Sequence, residues 1–371
     1  TQYTNKENLI ASAVLYDNNN RLVESSAWKG HESLVGAPAE NPEHYTSLHN
    51  HTTDITNHPC EGVAKQLATK YDGLISSLSH ITERVECVTL SALNKDGTLL
   101  IPRALICPTY ARNNETKNNT SIKFLTRYSS NSGMAFGCTE AEALLHGINE
   151  VIERHILSRF YMAVCQIGPP INFYSPSTSL LAMALQNNPY AIKSAQLLQI
   201  IIIKDFLGVY FAVAFPKSGA GDLHIASIGS GCSLDVCTAL QRAVTEQFQA
   251  DELYGIAEEE TDRKTLELLS SSETLLPLIE FSSIKNLKYT IIEHKLKNHS
   301  PSVSQQLKTL QNNISLAGKQ TFFRTIANFT NGCTVVQVYI PSLERFNIIR
   351  SGSLVVPQHI LLSHPAPERY I

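Results

Sequence analysis

The sequence has few of the features that mark membrane, secreted or nucleic-acid-binding proteins. Its longest apolar stretches, such as 197–203 and 209–215, are far shorter than the roughly 20 residues that a bilayer-spanning helix needs. The 30 Lys and Arg residues are scattered and face 33 Asp and Glu residues, so the net charge is -3 and no basic stripe is visible. The N-terminal residues 1–8 are polar and show no signal-peptide pattern. We therefore expect a cytoplasmic protein with neither a membrane nor a nucleic-acid partner.

Short local signatures for metals and nucleotides are also missing. None of the eight cysteines forms a Cys-x-x-Cys pair, and most lie in apolar runs, which is typical of reduced, buried thiols. No glycine-lysine phosphate loop occurs, so any ATP is held in another way. The His49-Asn50-His51 segment has polar surroundings, which does not favour a metal-ligand role.

The chain is long enough, at 371 residues with 43% hydrophobic residues, for one large or two modest domains. Its patterns alternate between strands and helices, which predicts an α/β (α+β) protein with mixed sheets. Strand pairs are predicted at 9–16 with 21–26, 85–90 with 99–105, and 197–205 with 209–216, helices at 64–80, 264–276 and 303–313, and a polar loop at 112–121.

The most informative stretch is a helix predicted over 140–154. On a helical wheel Glu142, His146, Glu150 and Glu153 fall within about 80° of one another, opposite an apolar face. Like charges on one helical face repel one another, but they suit Mg²⁺, which in turn binds nucleotide phosphates. The alternative is an acidic face that is simply hydrated.

The segment 131–154 resembles the YcaO family. It contains a Ser132-Gly133 turn, an Ala-Leu-x-x-Gly segment ending at Gly147, and a Glu-x-x-Glu-Arg ending at Arg154. The resemblance implies that Glu142, Glu150 and Glu153 bind Mg-ATP and that Arg154 meets phosphate, a pairing that guanidinium geometry favours. The chain departs from the family pattern at two places. The family's Ser-Asn-Gly turn is Asn131-Ser132-Gly133 here, and His155 stands where an acid often follows the arginine.

A second segment, 239–249, resembles the family's Ala-Leu-x-Arg-Ala-x-Thr-Glu-x-x-Gln signature. Arg242, Glu246 and Gln249 share one helical face, and the resemblance implies that they bind nucleotide, with Glu246 and Arg154 as catalytic residues. An Arg-Glu pair at this spacing is also common on ordinary surface helices. Asp251 stands where the family often has an arginine. Ahead of this helix, 228–232 is predicted to be a glycine-spaced turn and Asp235 a helix cap.

The family's front motif has only a partial counterpart. Lys29-Gly30 and the Glu40-x-x-Glu43 pair have the family's order and spacing, which implies a nucleotide contact from Lys29 and metal ligation by both glutamates. Pro42 lies between the glutamates and does not suit a helix interior. If these glutamates are not ligands, the chain is a degenerate, binding-only relative.

Two C-terminal segments complete the resemblance. The run 333–344 matches the family's buried strand closed by proline, and 364–371 is proline-containing, as are the tails of azoline-forming members. An ordinary frayed terminus is the alternative for the tail.

The resemblance implies a single YcaO-type domain over 1–371, with an N-terminal part at 1–112 and a main nucleotide-binding part at 113–371. It implies a cyclodehydratase of the D-protein type that uses ATP and Mg²⁺ to convert Cys, Ser or Thr of a ribosomal precursor peptide into thiazoline or oxazoline. Such chemistry belongs to the biosynthesis of ribosomally synthesised, modified peptides that contain thiazole or oxazole rings, among them bacteriocins and other antibiotics. Implied partners are the peptide, an E1-like or peptide-clamp subunit, and a flavin-dependent dehydrogenase. Thioamide or amidine formation, and a non-catalytic scaffold, remain alternatives.

Overall fold

The computed structural model describes residues 1–3, 9–16, 19–29, 33–49, 55–112, 120–205, 207–220, 224–285, 287–293 and 301–362. Gly30, the central part of the His-x-His segment, most of the polar loop and the C-terminal tail lie outside the described residues. The chain divides into two compact units. Unit 1 comprises Thr1–Asn41, His155–Pro301 and Phe346–Leu354, and unit 2 comprises Pro42–Arg154, Ser302–Arg345 and Val355–Ile371. The single-domain assignment stays a prediction.

The described strands are β1 (Gln2–Tyr3), β2 (Ile10–Tyr16), β3 (Leu22–Lys29), β4 (Ile55–Pro59), β5 (Arg84–Ala92), β6 (Thr98–Pro102), β7 (Met134–Gly137), β8 (Tyr174–Pro176), β9 (Leu198–Lys204), β10 (Tyr210–Pro216), β11 (Gly229–Ser233), β12 (Thr290–Ile292), β13 (Phe322–Asn328) and β14 (Thr334–Tyr339). The described α-helices are α1 (Ser33–His49), α2 (Cys60–Ala64), α3 (Gly73–Ser76), α4 (Arg103–Ile106), α5 (Pro108–Arg112), α6 (Thr120–Thr126), α7 (Glu140–Val164), α8 (Thr178–Ala184), α9 (Pro189–Ala195), α10 (Val236–Glu252), α11 (Ile256–Ser270), α12 (Val303–Leu316) and α13 (Gln358–Leu361). None of them combines the length and the apolar character that crossing a bilayer requires.

Unit 1 contains a three-stranded sheet, β1-β2-β3, and a five-stranded sheet in the order β11-β10-β9-β8-β12. The predicted pairs β2–β3 and β9–β10 are confirmed as antiparallel neighbours. Helix α10 packs its apolar face, which includes Ala239, Leu240 and Val244, into the same buried cluster as Ile200 and Ala212 of the larger sheet. This packing leaves the polar face of α10 for other contacts.

Unit 2 contains a sheet in the order β4-β5-β13-β14-β7, with β6 paired to β5. The predicted β5–β6 pair is confirmed, and β14 is buried along its whole length, as the apolar run before Pro341 predicts. Tyr339 at the end of β14 donates a hydrogen bond from its hydroxyl to Asp72 Oδ2 at 2.8 Å. Burial, and then the charge of Asp72, raises the pKa of Tyr339.

The glycine-spaced segment 228–232 is not the predicted turn but includes most of strand β11, which is buried. Its glycines allow α10 to approach the strand closely. A Cβ atom at Gly229 would lie 2.0 Å from the Ala243 carbonyl oxygen, and one at Gly231 would lie 2.4 Å from that of Ala239. The glycines therefore serve packing rather than chain reversal.

One helix prediction was wrong, and a second had the wrong bounds. The region 64–80 is broken into short helical pieces, because the Asp72 carboxylate accepts hydrogen bonds from the amides of Leu74 and Ile75 and starts a new helix at Gly73. The helix predicted at 264–276 is α11, which begins after Gly255, where Glu258 accepts from the Gly255 amide at 3.1 Å. It ends at Ser270, ahead of a 3₁₀ turn at Leu276–Leu278. The predictions for 303–313 and for the Asp235 cap are confirmed.

Helix α1 runs through both of its prolines, so the expectation that Pro42 does not suit a helix was wrong. A proline costs a helix one backbone hydrogen bond and strains the preceding turn. That loss is tolerated where packing holds the helix, and Ala37 lies in a buried cluster with Ala11 and Ala13, against which Trp28 packs. Glu40 and Glu43 consequently lie on one continuous helix.

Candidate functional site

The start of helix α7 fixes the first glutamate of the acidic stripe. The Glu142 amide donates to Thr139 Oγ1 at 3.2 Å, and Glu142 Oε2 accepts from the Cys138 amide at 3.0 Å. This reciprocal arrangement resembles a capping box, which satisfies amides at the first turn of a helix. The negative charge of Glu142 also raises the pKa of Cys138. Glu142 therefore has a structural task that its position on the helical wheel did not reveal.

Glu150 binds the turn that precedes strand β7. Its Oε2 atom accepts from the Gly133 amide at 3.1 Å, and Gly133 has a φ of 89°, which favours glycine. A Cβ atom at Gly147 would lie 2.9 Å from the Gly133 carbonyl oxygen, so this second glycine lets the turn lie against α7. Arg154 Nε lies 3.9 Å from Glu150 Oε1, one helical turn away. Arg154 and the predicted magnesium ligand Glu150 are thus neighbours.

Glu43 of α1 reaches the same backbone segment. Its Oε2 atom accepts from the amide of Phe136 in β7 at 3.3 Å. Glu43 and Glu150 therefore bind backbone amides three residues apart, at Gly133 and Phe136, within unit 2. The structure brings together a front and a central glutamate of the predicted metal set.

The surroundings of these carboxylates fit a hard cation. Glu153 is buried, with 7% of its surface exposed. Ser132 Oγ and Asn149 Oδ1 are buried, and neither has a hydrogen-bond partner within the described structure. Ser132 and Asn149 are next to Gly133 and Glu150 in sequence, and oxygen atoms of such neutral and carboxylate side chains are the ligand type that Mg²⁺ prefers.

The described side chains do not form a ready-made metal cluster of three or more His, Cys, Asp or Glu residues. The five predicted carboxylate ligands are therefore not assembled as one cluster among the described residues, whereas Glu43 and Glu150 bind the same backbone segment.

In unit 1 the polar face of α10 contacts strand β3. Lys29 Nζ lies 2.5 Å from Glu246 Oε2, and Gln249 Nε2 donates to the Ala27 carbonyl oxygen at 2.9 Å. Arg242 is half-buried one turn before Glu246. Lys29, Glu246 and Gln249 are thereby brought together, and the charge of Glu246 is neutralised by Lys29. Glu40 is half-buried and also belongs to unit 1.

Asp251 lies about 180° around α10 from Arg242, because the two are nine residues apart. It accepts hydrogen bonds from Ser227 Oγ at 2.5 Å and Gln247 Nε2 at 2.7 Å. These residues line a groove of about 650 Å³ that also includes His224 and Tyr254. Asp251, at the family's arginine position, thus binds polar side chains of unit 1. The sequence did not predict these contacts.

Comparison with known proteins identifies the fold. A structure of YcaO from Methanopyrus kandleri bound with AMPPCP and Mg²⁺ has a TM-score of 0.59 at 15% identity, and the match covers 94% of this chain and 86% of that one. The E. coli microcin synthetase McbBCD complex with pro-MccB17 bound has a TM-score of 0.56 at 14% identity, with 92% and 86% covered. A heterocyclase in complex with substrate and cofactor has a TM-score of 0.59 at 16% identity, with 90% of this chain but only 50% of that one covered. This chain therefore spans about half the length of that heterocyclase.

No curated protein matches the sequence. The family model described as YcaO cyclodehydratase, ATP- and Mg²⁺-binding, matches residues 17–344. That match covers most of the chain and includes every predicted site residue. The resemblance and the mixed α/β fold inferred from the sequence are confirmed, and ATP and Mg²⁺ are the cofactors. This protein belongs to the YcaO family.

Proposed function

We propose that this chain is the ATP-dependent cyclodehydratase subunit of a peptide-modifying synthetase, of the D-protein type. It activates backbone amides of a ribosomal precursor peptide and converts Cys, Ser or Thr into thiazoline or oxazoline. The observation that carries the proposal is the pair of glutamates, Glu43 and Glu150, on the amides of the 133–136 segment, with Arg154 beside Glu150. Membership in the YcaO family supports the same reaction type.

Residues of α7 and α1 are proposed to hold the metal. Glu43, Glu150 and Glu153 supply carboxylate oxygens, and Arg154 binds phosphate and offsets the charge that develops during transfer. Bound Mg-ATP supplies the phosphoryl group that turns an amide oxygen into a leaving group. Glu142 and Glu40 stay predicted ligands, although the hydrogen bond from Cys138 gives Glu142 a competing capping role.

Residues of α10 and β3 are proposed to bind the nucleotide. Lys29, Arg242, Glu246 and Gln249 all belong to unit 1, and Lys29 already contacts Glu246. Glu246 is proposed as a catalytic residue together with Arg154. The Lys29 ammonium group has three N–H donors, of which one suffices for Glu246, so we propose that Lys29 can contact phosphate as well.

The partners and the location are proposed by analogy. One structural neighbour is a synthetase complex with a pro-peptide bound, so we propose a precursor peptide and an E1-like or peptide-clamp subunit as partners. A flavin-dependent dehydrogenase would oxidise azolines to thiazoles and oxazoles. A bacteriocin or another antibiotic peptide is the proposed product. The cytoplasmic location stays a prediction.

The mass of the product tests this proposal. The chain is to be expressed with its peptide-clamp partner and candidate precursor peptide, and the peptide analysed by mass spectrometry. Cyclodehydration removes one water per ring, whereas thioamide formation exchanges oxygen for sulfur. We expect loss of water with the wild type, none with Glu150→Gln/Glu153→Gln, and wild-type loss with Glu140→Gln, because Glu140 is an exposed acid on the same helix.

The remaining outcomes distinguish the thioamide and scaffold alternatives from cyclodehydration. A mass gain matching sulfur exchange would move the thioamide reaction ahead of cyclodehydration. An unmodified peptide in a complex that binds Mg-ATP would favour the non-catalytic scaffold.

A further inference from the structure

Two cysteines lie opposite each other where strand β7 ends and the antiparallel strand β14 begins. The last paired residues of this antiparallel ladder are Gly137 and Thr334, so the next position in register places Cys138 opposite Cys333. After the Glu142 charge and burial, the Cys333 side chain also raises the pKa of Cys138, which supports the closeness of the two side chains. Directly opposed residues in antiparallel strands have Cα atoms about 4.5–5.5 Å apart, which falls within the range that a disulfide spans.

This pair differs from the other cysteines in its access to solvent. Five of the eight cysteines are buried, Cys138 is exposed, and Cys333 and Cys237 are half-buried. Cys237 lies on α10 in unit 1, whereas Cys138 and Cys333 both belong to unit 2. The expected burial is therefore found for five of the cysteines and not for Cys138, Cys237 and Cys333.

Backbone contacts hold both cysteines in place. The Cys138 amide donates to Glu142, and the Cys333 amide donates to Asn331 Oδ1 at 3.2 Å. The Cys333 carbonyl oxygen accepts from the Phe329 amide at 2.9 Å, which closes the turn between β13 and β14. These bonds use backbone atoms of the cysteines, so the two sulfur atoms can change partners without disrupting them.

We propose that Cys138 and Cys333 form a redox-dependent modification site that closes to an intramolecular disulfide. The oxidant is a low-molecular-weight disulfide such as glutathione disulfide. The Cys138 sulfur attacks it, forms a mixed disulfide and releases one thiol. The Cys333 sulfur then attacks the Cys138 sulfur, breaks the mixed disulfide and releases a second thiol. Two thiol protons pass to the two released thiols, and two electrons reduce the oxidant.

The bond would join the turn that starts α7 to the hairpin between β13 and β14. Glu142 and Glu43 bind amides in the 136–138 segment, so the disulfide would lie next to two of the predicted magnesium ligands. The disulfide would therefore be a covalent cross-link beside Glu43 and Glu142.

Peptide mapping under non-reducing conditions tests the site. The full chain is brought to equilibrium in glutathione buffers of increasing oxidising strength, alkylated and digested. We expect a linked peptide containing Cys138 and Cys333 that has lost two hydrogen atoms and disappears on reduction. Incubation continues until the yield of the linked peptide no longer changes, so that the result reports the equilibrium and not the rate.

Serine variants complete the test. Cys138→Ser and Cys333→Ser should each abolish the linked peptide, whereas Cys237→Ser should leave its yield unchanged. Either of two results would overturn the proposal. One is a glutathione mixed disulfide that persists at Cys138 while Cys333 stays free, and the other is linkage of Cys138 to other cysteines as often as to Cys333.

Discussion

Glu150 and Glu153 share one helical face but have different surroundings. Glu153 is 7% exposed, whereas the Glu150 side chain is 32% exposed and accepts from the Gly133 amide. Periodicity predicted their common face correctly, because residues three positions apart on a helix are only about 60° apart around its axis. The backbone partner of Glu150 depends on a turn closed by tertiary contact, which the sequence pattern does not encode.

The Lys29–Glu246 pair permits a test at the scale of single residues. Both side chains are largely shielded, at 18% and 27% exposure, so screening by water and salt is reduced. We expect a double-mutant cycle with Lys29→Met and Glu246→Gln to give a coupling free energy of about 1 kcal/mol in urea unfolding. The Glu260–Lys264 pair is the control, because its side chains are 61% and 63% exposed and its coupling should be near the detection limit. Equal coupling in both pairs would contradict the shielding argument.

Tyr339 permits a test of pH dependence. Replacing Tyr339 by Phe removes a buried hydrogen bond to a carboxylate, and we expect a loss of about 1.5–3 kcal/mol in the free energy of unfolding. Burial raises the pKa of this tyrosine in the folded state, so above about pH 10 the unfolded chain loses the proton first and stability falls as the pH rises. Urea unfolding between neutral and alkaline pH measures both effects. The Phe variant should show a shallower alkaline loss, and an unchanged slope would contradict this assignment.

Individual elements show how far the sequence predicted the fold. The β2–β3, β5–β6 and β9–β10 pairs followed from alternating runs around short turns, because local patterns determine such hairpins. The continuous helix predicted over 64–80 does not form, because Asp72 caps a new helix within it. The other oxygen of Asp72 accepts from Tyr339 and from the Ser342 amide, which are remote in sequence. The sequence alone does not show that helix α1 tolerates Pro42, because the packing of Ala37 is a tertiary contact.

The contact between β11 and α10 gives a prediction at the scale of elements. Alanine at Gly229 or Gly231 would place a methyl group against helix backbone that cannot move aside as a flexible side chain can. We expect each substitution to lower the free energy of unfolding by about 3 kcal/mol. Gly62→Ala is the matched control, because a Cβ atom there meets nothing within 4 Å in helix α2. We expect this control to be neutral or stabilising by up to about 1 kcal/mol in the same urea unfolding experiment. A neutral result at Gly229 would show that β11 and α10 are further apart.

For the molecule as a whole, the helices α7 and α10, which carry the family motifs, could be predicted from the sequence. The tertiary contacts made by the predicted site residues could not. The motifs on α7 and α10 were recognisable because family spacing is retained, although the solved neighbours share only 14–16% identity with this chain. The contact of Glu43 with Phe136 was not predictable, because it joins residues 93 positions apart. Pro42 argued against a helix that carries both Glu40 and Glu43, but α1 is one continuous helix over both residues.

Magnesium-dependent nucleotide binding tests the central claim most directly. Calorimetric titration with ATP, with and without Mg²⁺, is to be carried out on the wild type, on Glu150→Ala/Glu153→Ala and on the Glu140→Gln control. We predict binding that requires Mg²⁺ in the wild type and the control and is lost in the double variant, because the two carboxylates proposed to bind the Mg²⁺ are missing. All three proteins must show the same unfolding midpoint without ligand. Equal Mg-ATP affinity in the double variant would contradict the placement of the metal on helix α7.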